Sequence, residues 1–446
     1  MSLLDLKALA RALSAADPTP LTGTVVRATG LVVEALLPGV PVGTTCEIRA
    51  NDGALVPAEV VGFQGGTARL MPLTEIQGVA EGCDVVPRAA ADRIAVGEAL
   101  LGRVVDAALH PLDAGPLPLL RHRMPLHASP PAALQRRRVT EPLALGIRSI
   151  DACLTVGEGQ RMAVMAGPGV GKSVLLGMLA RSAQAEVVVV GLIGERGREV
   201  REFIERDLGD GLARAVVVVA TSDESPLKRL RAAMSATAVA EFFRARGKKV
   251  LLLVDSLSRI AMAQREIGLA AGEPPTTKGY PPSAFALLPR LVERAGHDAG
   301  PGSITAFYTV LAEGDDHTGD PIADAARATL DGHILLSRKL AESGHFPAVD
   351  VLASVSRVMN DIVPPAHREL AREAREVLSA YREAADLVEV GAYAAGSNPR
   401  VDRALACIEP LRKLLRQDPD ERSPLPETLE RLRRVLGGAE KEKAHA

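Results

Sequence analysis

Residues 161–181 read RMAVMAGPGVGKSVLLGMLAR: an apolar run of strand length, a turn of small residues, then a helical pattern. In that order the three pieces make a phosphate cradle. Gly167, Gly169 and Gly171, with Pro168 and Val170 between them, let the backbone curl until several N–H groups point inward. A helix opening near Lys172 and continuing through Val174 adds the positive end of its dipole. Lys172 is placed to reach the β- and γ-phosphates of a nucleotide. The Ser173 hydroxyl is placed to hold Mg²⁺, a hard cation that takes oxygen ligands. The usual pattern GxxxxGK[ST] begins with glycine; here Ala166 stands first, which asks only for a small residue at the strand end.

On both sides of this loop, from Ile147 to about Met359, runs of strand length alternate with helical patterns. RMAVMA, EVVVVGLIG, RAVVVVATS, KVLLLVDS, SITAFYTVL and GHILLS are each continuously apolar. Strands covered on both faces read that way, so an α/β core with a mostly parallel sheet is expected. Upstream, about 21–87 alternates short apolar segments with turn signals and predicts a small antiparallel β-barrel. The proline-rich stretch 88–142 reads as a linker that packs on the next domain. Beyond about Pro365, HRELAREAREVLSAYREAADLV and VDRALACIEPLRKLLRQ predict a helical domain that ends in a frayed, charged tail. The expected layout is an N-terminal helix over 1–18, a barrel over 19–90, a nucleotide-binding core with its leading linker over 91–364, and a helical domain over 365–446. Leucines at 3, 6, 9 and 13, with Leu4 and Ala10, stripe that first helix. It either packs on its own domain or serves as a detachable helix for a partner or a membrane surface.

Composition narrows the function classes. The 446 residues carry 53 basic and 55 acidic side chains, a net charge of −2, so there is no global pull toward nucleic acid or anionic lipid. Cys46, Cys83, Cys153 and Cys407 are far apart, with no metal or disulfide spacing. No apolar run approaches the roughly 20 residues that span a bilayer. Asp5, Lys7 and Arg11 interrupt the N-terminus, so a signal peptide is not expected and the chain reads as cytoplasmic.

Two strand ends offer partners for the cradle. Asp255 closes the chain's most apolar run in KKVLLLVDSLSR, where a carboxylate can hold Mg²⁺ through water or cap the following helix. Glu195 closes VVVVGLIGERGREVREFIE in a glycine-flanked turn, with Arg196 beside it. The residues alone leave those two open between a water-activating pair that touches the γ-phosphate and ordinary loop charges.

Together these residues resemble the family that holds the catalytic subunits of rotary ATP synthases, the flagellar export ATPase, the ATPases of type III secretion injectisomes and, more distantly, the Rho helicase. The resemblance covers nearly the whole chain and implies a RecA-like core. In that family the strand-end GER motif carries the catalytic glutamate, which matches Glu195, and an arginine that contacts phosphate, which matches Arg196. The stretch SGHFPAVDVLASVSR, residues 343–357, looks like the segment in which an aromatic ring stacks on adenine and a later arginine enters the neighbouring subunit's site. Phe346 matches the ring, where tyrosine is more usual, and Arg357 matches the arginine finger, a group worth about 10³ to 10⁵ in rate.

The wording of 262–296 (MAQREIGLAAGEPPTTKGYPPSAFALLPRLVERAG), of GSITAFYTVLAEGDD and DPIADAARATLDGHILLSRKLAE, and of VEVGAYAAGSNPRVDRA resembles export ATPases, the flagellar branch more than the injectisome branch. The resemblance implies a Mg²⁺-dependent ATP hydrolase that acts on chaperone–substrate complexes and assembles as a homohexamer at the inner membrane's cytoplasmic face. It further implies a regulatory stator protein at the N-terminal helix, a central stalk near Gln264, Arg265, Glu266 and the following loop, and export-gate membrane proteins. An injectisome ATPase of the same mechanism is the alternative, and a rotary synthase subunit the more distant one. An RNA translocase would want stacking aromatics and basic charge in the barrel. Phe63 is the only aromatic there, so nucleic acid is not expected.

Overall fold

The computed structural model describes residues 22–88, 93–311 and 319–443, with side chains to 437. The expected N-terminal helix and the EGDD stretch at 313–316 lie outside the described residues. Two compact units divide the chain. One runs through Ala91 and includes Glu266–Pro274; the other holds Asp92–Arg265 and Pro275–Ala446.

The first unit is a closed barrel of six strands, β1 (Gly23–Thr29), β2 (Val32–Leu36), β3 (Thr45–Arg49), β4 (Leu55–Gln64), β5 (Thr67–Pro72) and β6 (Asp84–Pro87). Their order around the barrel is β1-β2-β5-β4-β3-β6. Alternation decides which side chains go inside: Val56, Ala58 and Val60 of β4 are buried while the residues between them are partly exposed. Closure removes the open edges that six short strands would otherwise present.

The second unit is built on a nine-stranded sheet. Along it run β17 (Val355–Ser356), β16 (Gly332–Leu336), β10 (Arg161–Ala166), β15 (Ser303–Leu311), β13 (Lys249–Asp255), β11 (Val187–Glu195), β12 (Ala215–Thr221) and β8 (Arg103–Val105). All neighbours are parallel except β17 on β16 and the two-residue β14 (Gly296–His297) on β15. Successive residues of each strand enter opposite cores. Met162, Val164 and Ala166 face one cluster, with Leu175, Leu176 and Leu179 of the helix Lys172–Ser182. Ala163 and Met165 face the other, with Val239, Phe242 and Phe243 of the helix Pro226–Arg244. This double burial is why these strands read as unbroken apolar runs.

Residues 88–142 are more than a linker. They supply β8, which extends the sheet beside β12, and a two-stranded ribbon of β7 (Arg93–Val96) and β9 (His122–Pro125). A three-residue strand among prolines leaves no periodic signal, so its pairing is set by the edge that β12 offers. The C-terminal part is helical, with helices Pro365–Glu389, Pro399–Leu415 and Leu425–Lys443. The last runs through Gly437 and Gly438 where a frayed tail was expected; the AEKEK stretch after the glycines is rich in good helix formers. Among the described residues no helix is long and apolar enough to cross a membrane, and all four cysteines are free and buried.

Candidate nucleotide site

The cradle forms where β10 ends. Ala166 is wholly buried between Leu311 of β15 and Leu336 of β16, which leaves no room for a large residue at that position. Pro168 and Gly169 are exposed, and Gly169 and Gly171 take φ of +76° and +91°, values a residue with a Cβ rarely adopts. Gly171 caps the helix Lys172–Ser182 without any side-chain cap, so the first-turn N–H groups are available to an anion. Lys172, Ser173 and Val174, all partly exposed, form that turn.

Three sequence-predicted residues meet here. The Lys172 Nζ donates to Asp255 Oδ1 at 2.6 Å and to Glu195 Oε1 at 3.3 Å. Burial opposes the Lys172 charge, but the two carboxylates outweigh it and its pKa is raised. Asp255 is 3 % exposed and its Oδ1 also accepts from the Thr309 hydroxyl at 2.6 Å. Glu195 reaches the site because β11 shifts register against β12 between Ile193 and Glu195, with Gly194 at φ +76°. Such a bulge re-aims the side chain that follows it. Burial first, and then the Asp255 charge, push the Glu195 carboxyl up to about 7 against the pull of Lys172.

A carboxyl that titrates near neutrality can, in its ionised form, take a proton from water. The Lys172 ammonium occupies the ground between the two carboxylates, where cationic charge belongs. The candidate metal donors are oxygens: the Ser173 hydroxyl in the first turn of the helix and the Asp255 carboxylate beside Lys172. No group of three or more His, Cys, Asp or Glu able to hold a metal exists among the described residues. A hard divalent cation that completes its shell with phosphate and water oxygens fits such a set.

Arg196 is exposed and caps the short helix Gly197–Glu202. Glu199, in the first turn of that helix, acts on the Glu195 carboxyl, and the interaction between the two holds Glu199 low and Glu195 high. The Phe346 ring lies against the loop, its Cδ1 and Cε1 3.6 Å from where a Cβ on Gly171 would stand. It is 43 % exposed, unlike a core phenylalanine.

Arg357 is not brought to this site. Its N–H donates to Asp331 O, and its side chain reaches Arg327 O at 2.8 Å. Ser356 pairs with Gly332 at the start of β16, one residue before the His333–Ala163 pairing. Five residues of β10 therefore separate that level from Gly167, about 16 Å along the strand.

Three site residues escape the motifs. Thr309 sits inside β15, where threonine reads as one more β-branched strand residue. Glu199 lies in a run of alternating charges. Arg259 packs its stem 3.0 Å from where a Gly194 Cβ would be, with its Nε buried and unbonded. Arg259 falls within KKVLLLVDSLSR, where no spacing singles it out.

Comparisons with known proteins identify the family. Residues 146–356 match the family model described as ATP synthase alpha/beta family, nucleotide-binding domain. Residues 25–88 match the beta-barrel domain of that family, and 363–434 match the T3SS EscN ATPase C-terminal domain. The flagellum-specific ATP synthase of Salmonella typhimurium is 53 % identical, over 92 % of this chain and 92 % of its own. The type 3 secretion system ATPase of Xanthomonas euvesicatoria is 50 % identical over 94 % of each. Among solved structures, the assembled ATPase EscN of the enteropathogenic E. coli type III secretion system superposes with a TM-score of 0.88 at 40 % identity, over 93 % of this chain and 100 % of that one. EscN in complex with its central stalk EscO gives 0.85, at the same identity and coverage. This chain is thus a member of the ATPase family that comprises the flagellum-specific ATP synthases and the type 3 secretion system ATPases, and with them an ATP hydrolase.

Proposed function

We propose that this protein is a Mg²⁺-dependent ATP hydrolase that energises protein export through a flagellar-type secretion apparatus, acting on chaperone–substrate complexes as a homohexamer. The observation that carries the reading is the meeting of Lys172, Glu195 and Asp255 at one end of the sheet. ATP binding draws Lys172 away from the carboxylates to the phosphates. The released Glu195 accepts a proton from the attacking water, with Glu199 beside it. Ser173 and Asp255 hold Mg²⁺, which supplies charge neutralisation at the phosphates. Arg196 and Arg259 add positive charge where the transition state gathers negative charge, and Phe346 stacks on adenine through its exposed face.

The distance of Arg357 from its own cradle supports its acting on the next subunit. One chain that carries both halves of a site closes naturally into a ring of identical copies. In the family of EscN, whose structures include an assembled form and a complex with a central stalk, a stalk partner is a natural expectation for this chain too. The stator, the export gate and attachment to the cytoplasmic face of the inner membrane follow from the same reading. The flagellar branch rests on the wording of 262–296 and of VEVGAYAAGSNPRVDRA, and a flagellar relative from Salmonella at 53 % and a secretion relative from Xanthomonas at 50 % are both compatible with it. Deleting the gene in its own host should abolish secretion of flagellar filament protein, with recovery by the intact gene but not by Lys172→Ala. Normal flagella together with loss of secreted effectors would move the protein to the injectisome branch.

A further inference from the structure

We infer that Gln417 is a positioning residue for the nucleotide base, through which the C-terminal helices set ATP affinity. Gln417 follows the helix Pro399–Leu415 and is 4 % exposed. For a polar side chain so deeply buried, every hydrogen-bonding group needs a partner. Its Nε2 donates to Gly146 O at 2.7 Å and Glu421 O at 2.8 Å, and its Oε1 accepts from the Arg148 N–H at 2.9 Å. Its own backbone N–H donates to Phe346 O at 2.9 Å.

The loop that carries Gln417 is clamped at several further points. Arg148, itself 3 % exposed, donates to Leu414 O at 2.6 Å and to Arg416 O, and pairs with Glu421. Arg181, in the last turn of the helix that begins at Lys172, donates to Pro419 O at 2.7 Å. A continuous path therefore runs from the C-terminal helices through Gln417 to the main chain of Phe346, whose ring rests on Gly171. The ring itself is half in solvent and makes no side-chain hydrogen bond, so its placement depends on the main chain that Gln417 holds. Loosening the 416–421 loop frees the ring, while its clamp on the phosphate-binding helix, Arg181, lies at that helix's far end from Lys172. A movement of the C-terminal helices would act on nucleotide affinity in the same way.

The inference rests on Phe346 stacking on the base, and the test separates the two. ATP hydrolysis by the full chain is measured for KM and kcat, and inorganic tripolyphosphate, which has no base, is titrated as a competitive inhibitor. Gln417→Ala should raise KM for ATP about tenfold, with kcat within about threefold and tripolyphosphate inhibition unchanged. Phe346→Ala should do the same, and the double variant should be no worse than the poorer single one. A fall in kcat at constant KM, or an equal weakening of tripolyphosphate, would make Gln417 merely structural and overturn the inference. An unaltered KM in Phe346→Ala overturns the stacking reading and the inference with it, whereas a raised KM there with none in Gln417→Ala overturns the inference alone. Should Gln417→Ala fail to fold, Glu421→Ala, which removes the Arg148 pair from a more exposed position, should shift KM in the same direction about threefold; no shift sinks the proposal.

Discussion

The two ends of the parallel sheet differ in a way that divides the chemistry. At the carboxyl end, the tips of β11 and β13 bring Glu195 and Asp255 to within 3.3 Å and 2.6 Å of the Lys172 ammonium, in mostly buried surroundings. At the opposite edge Arg357 is exposed, held by carbonyls, and about 16 Å from its own cradle. A site at one end of a sheet is pre-organised by the strands themselves. Arg357, which pairs with no carboxylate among the described residues, would on the proposed reading become useful when a second copy brings its phosphates there. Binding and part of the chemistry should accordingly be properties of one chain, and full turnover a property of the assembly.

Lys172→Ala should give the largest effect. It removes the cation between the two carboxylates, so ATP binding should weaken at least about a hundredfold and turnover should vanish. Fluorescent-nucleotide titration and phosphate release measure both. Retained turnover would mean that the carboxyl end is not the catalytic end. Arg357→Ala comes next: it should bind ATP normally and lose about 10³ to 10⁵ in turnover. Mixing it with Lys172→Ala after subunit exchange should recover activity, because an intact cradle can then face an intact Arg357. Mixed rings that stay inactive at every ratio, with wild type and Arg357→Ala mixtures losing activity only in proportion, would return Arg357 to its own subunit and erase the contrast.

Glu195→Gln keeps shape and loses basicity, so turnover should fall about 10² to 10⁴ with ATP still bound; a change of a few-fold would remove Glu195 from the role. The pH profile gives a finer reading. With its carboxyl pushed up to about 7, Glu195 is ionised above that pH and protonated below it. A base works only when ionised, so kcat/KM should hold above about 7 and fall tenfold per unit as pH drops below it. Arg357→Ala should keep the same midpoint at its lower rate, since its defect lies at the other end. A midpoint near 4.5, the ordinary glutamate range, would contradict the buried placement.

Much of this was legible in the residues because the strands are buried on both faces, which turns each into an unbroken apolar run with its chemistry at the tip. Glu195 and Asp255 stand at such tips, and Lys172 and Ser173 open the helix just beyond one. What stayed hidden depends on pairing. β8 is three residues among prolines and exists because β12 has an edge to fill. Glu199 matters through one carboxyl contact that no spacing rule encodes. Arg357 and Phe346 were visible only through resemblance, since an exposed arginine and a lone phenylalanine carry no pattern of their own.

Thr309 is the smallest and sharpest case, because its sequence context, SITAFYTVL, gives a hydroxyl no reason to differ from a methyl. In the structure that hydroxyl donates to Asp255 Oδ1 at 2.6 Å from a wholly buried position on β15, the strand between the cradle and Asp255. Thr309→Val keeps the branched shape and removes one donor from a buried carboxylate. The loss should cost about 1 to 3 kcal/mol of stability, read from denaturant unfolding. If Asp255 holds Mg²⁺, losing a donor that orients it should also raise the half-saturating Mg²⁺ concentration a few-fold, while turnover at saturating Mg²⁺ stays within about threefold. Arg357→Ala should leave the Mg²⁺ requirement untouched, because no strand connects that edge to Asp255 within a side chain's reach. A Mg²⁺ shift in Arg357→Ala and none in Thr309→Val would reverse the assignment of the two ends.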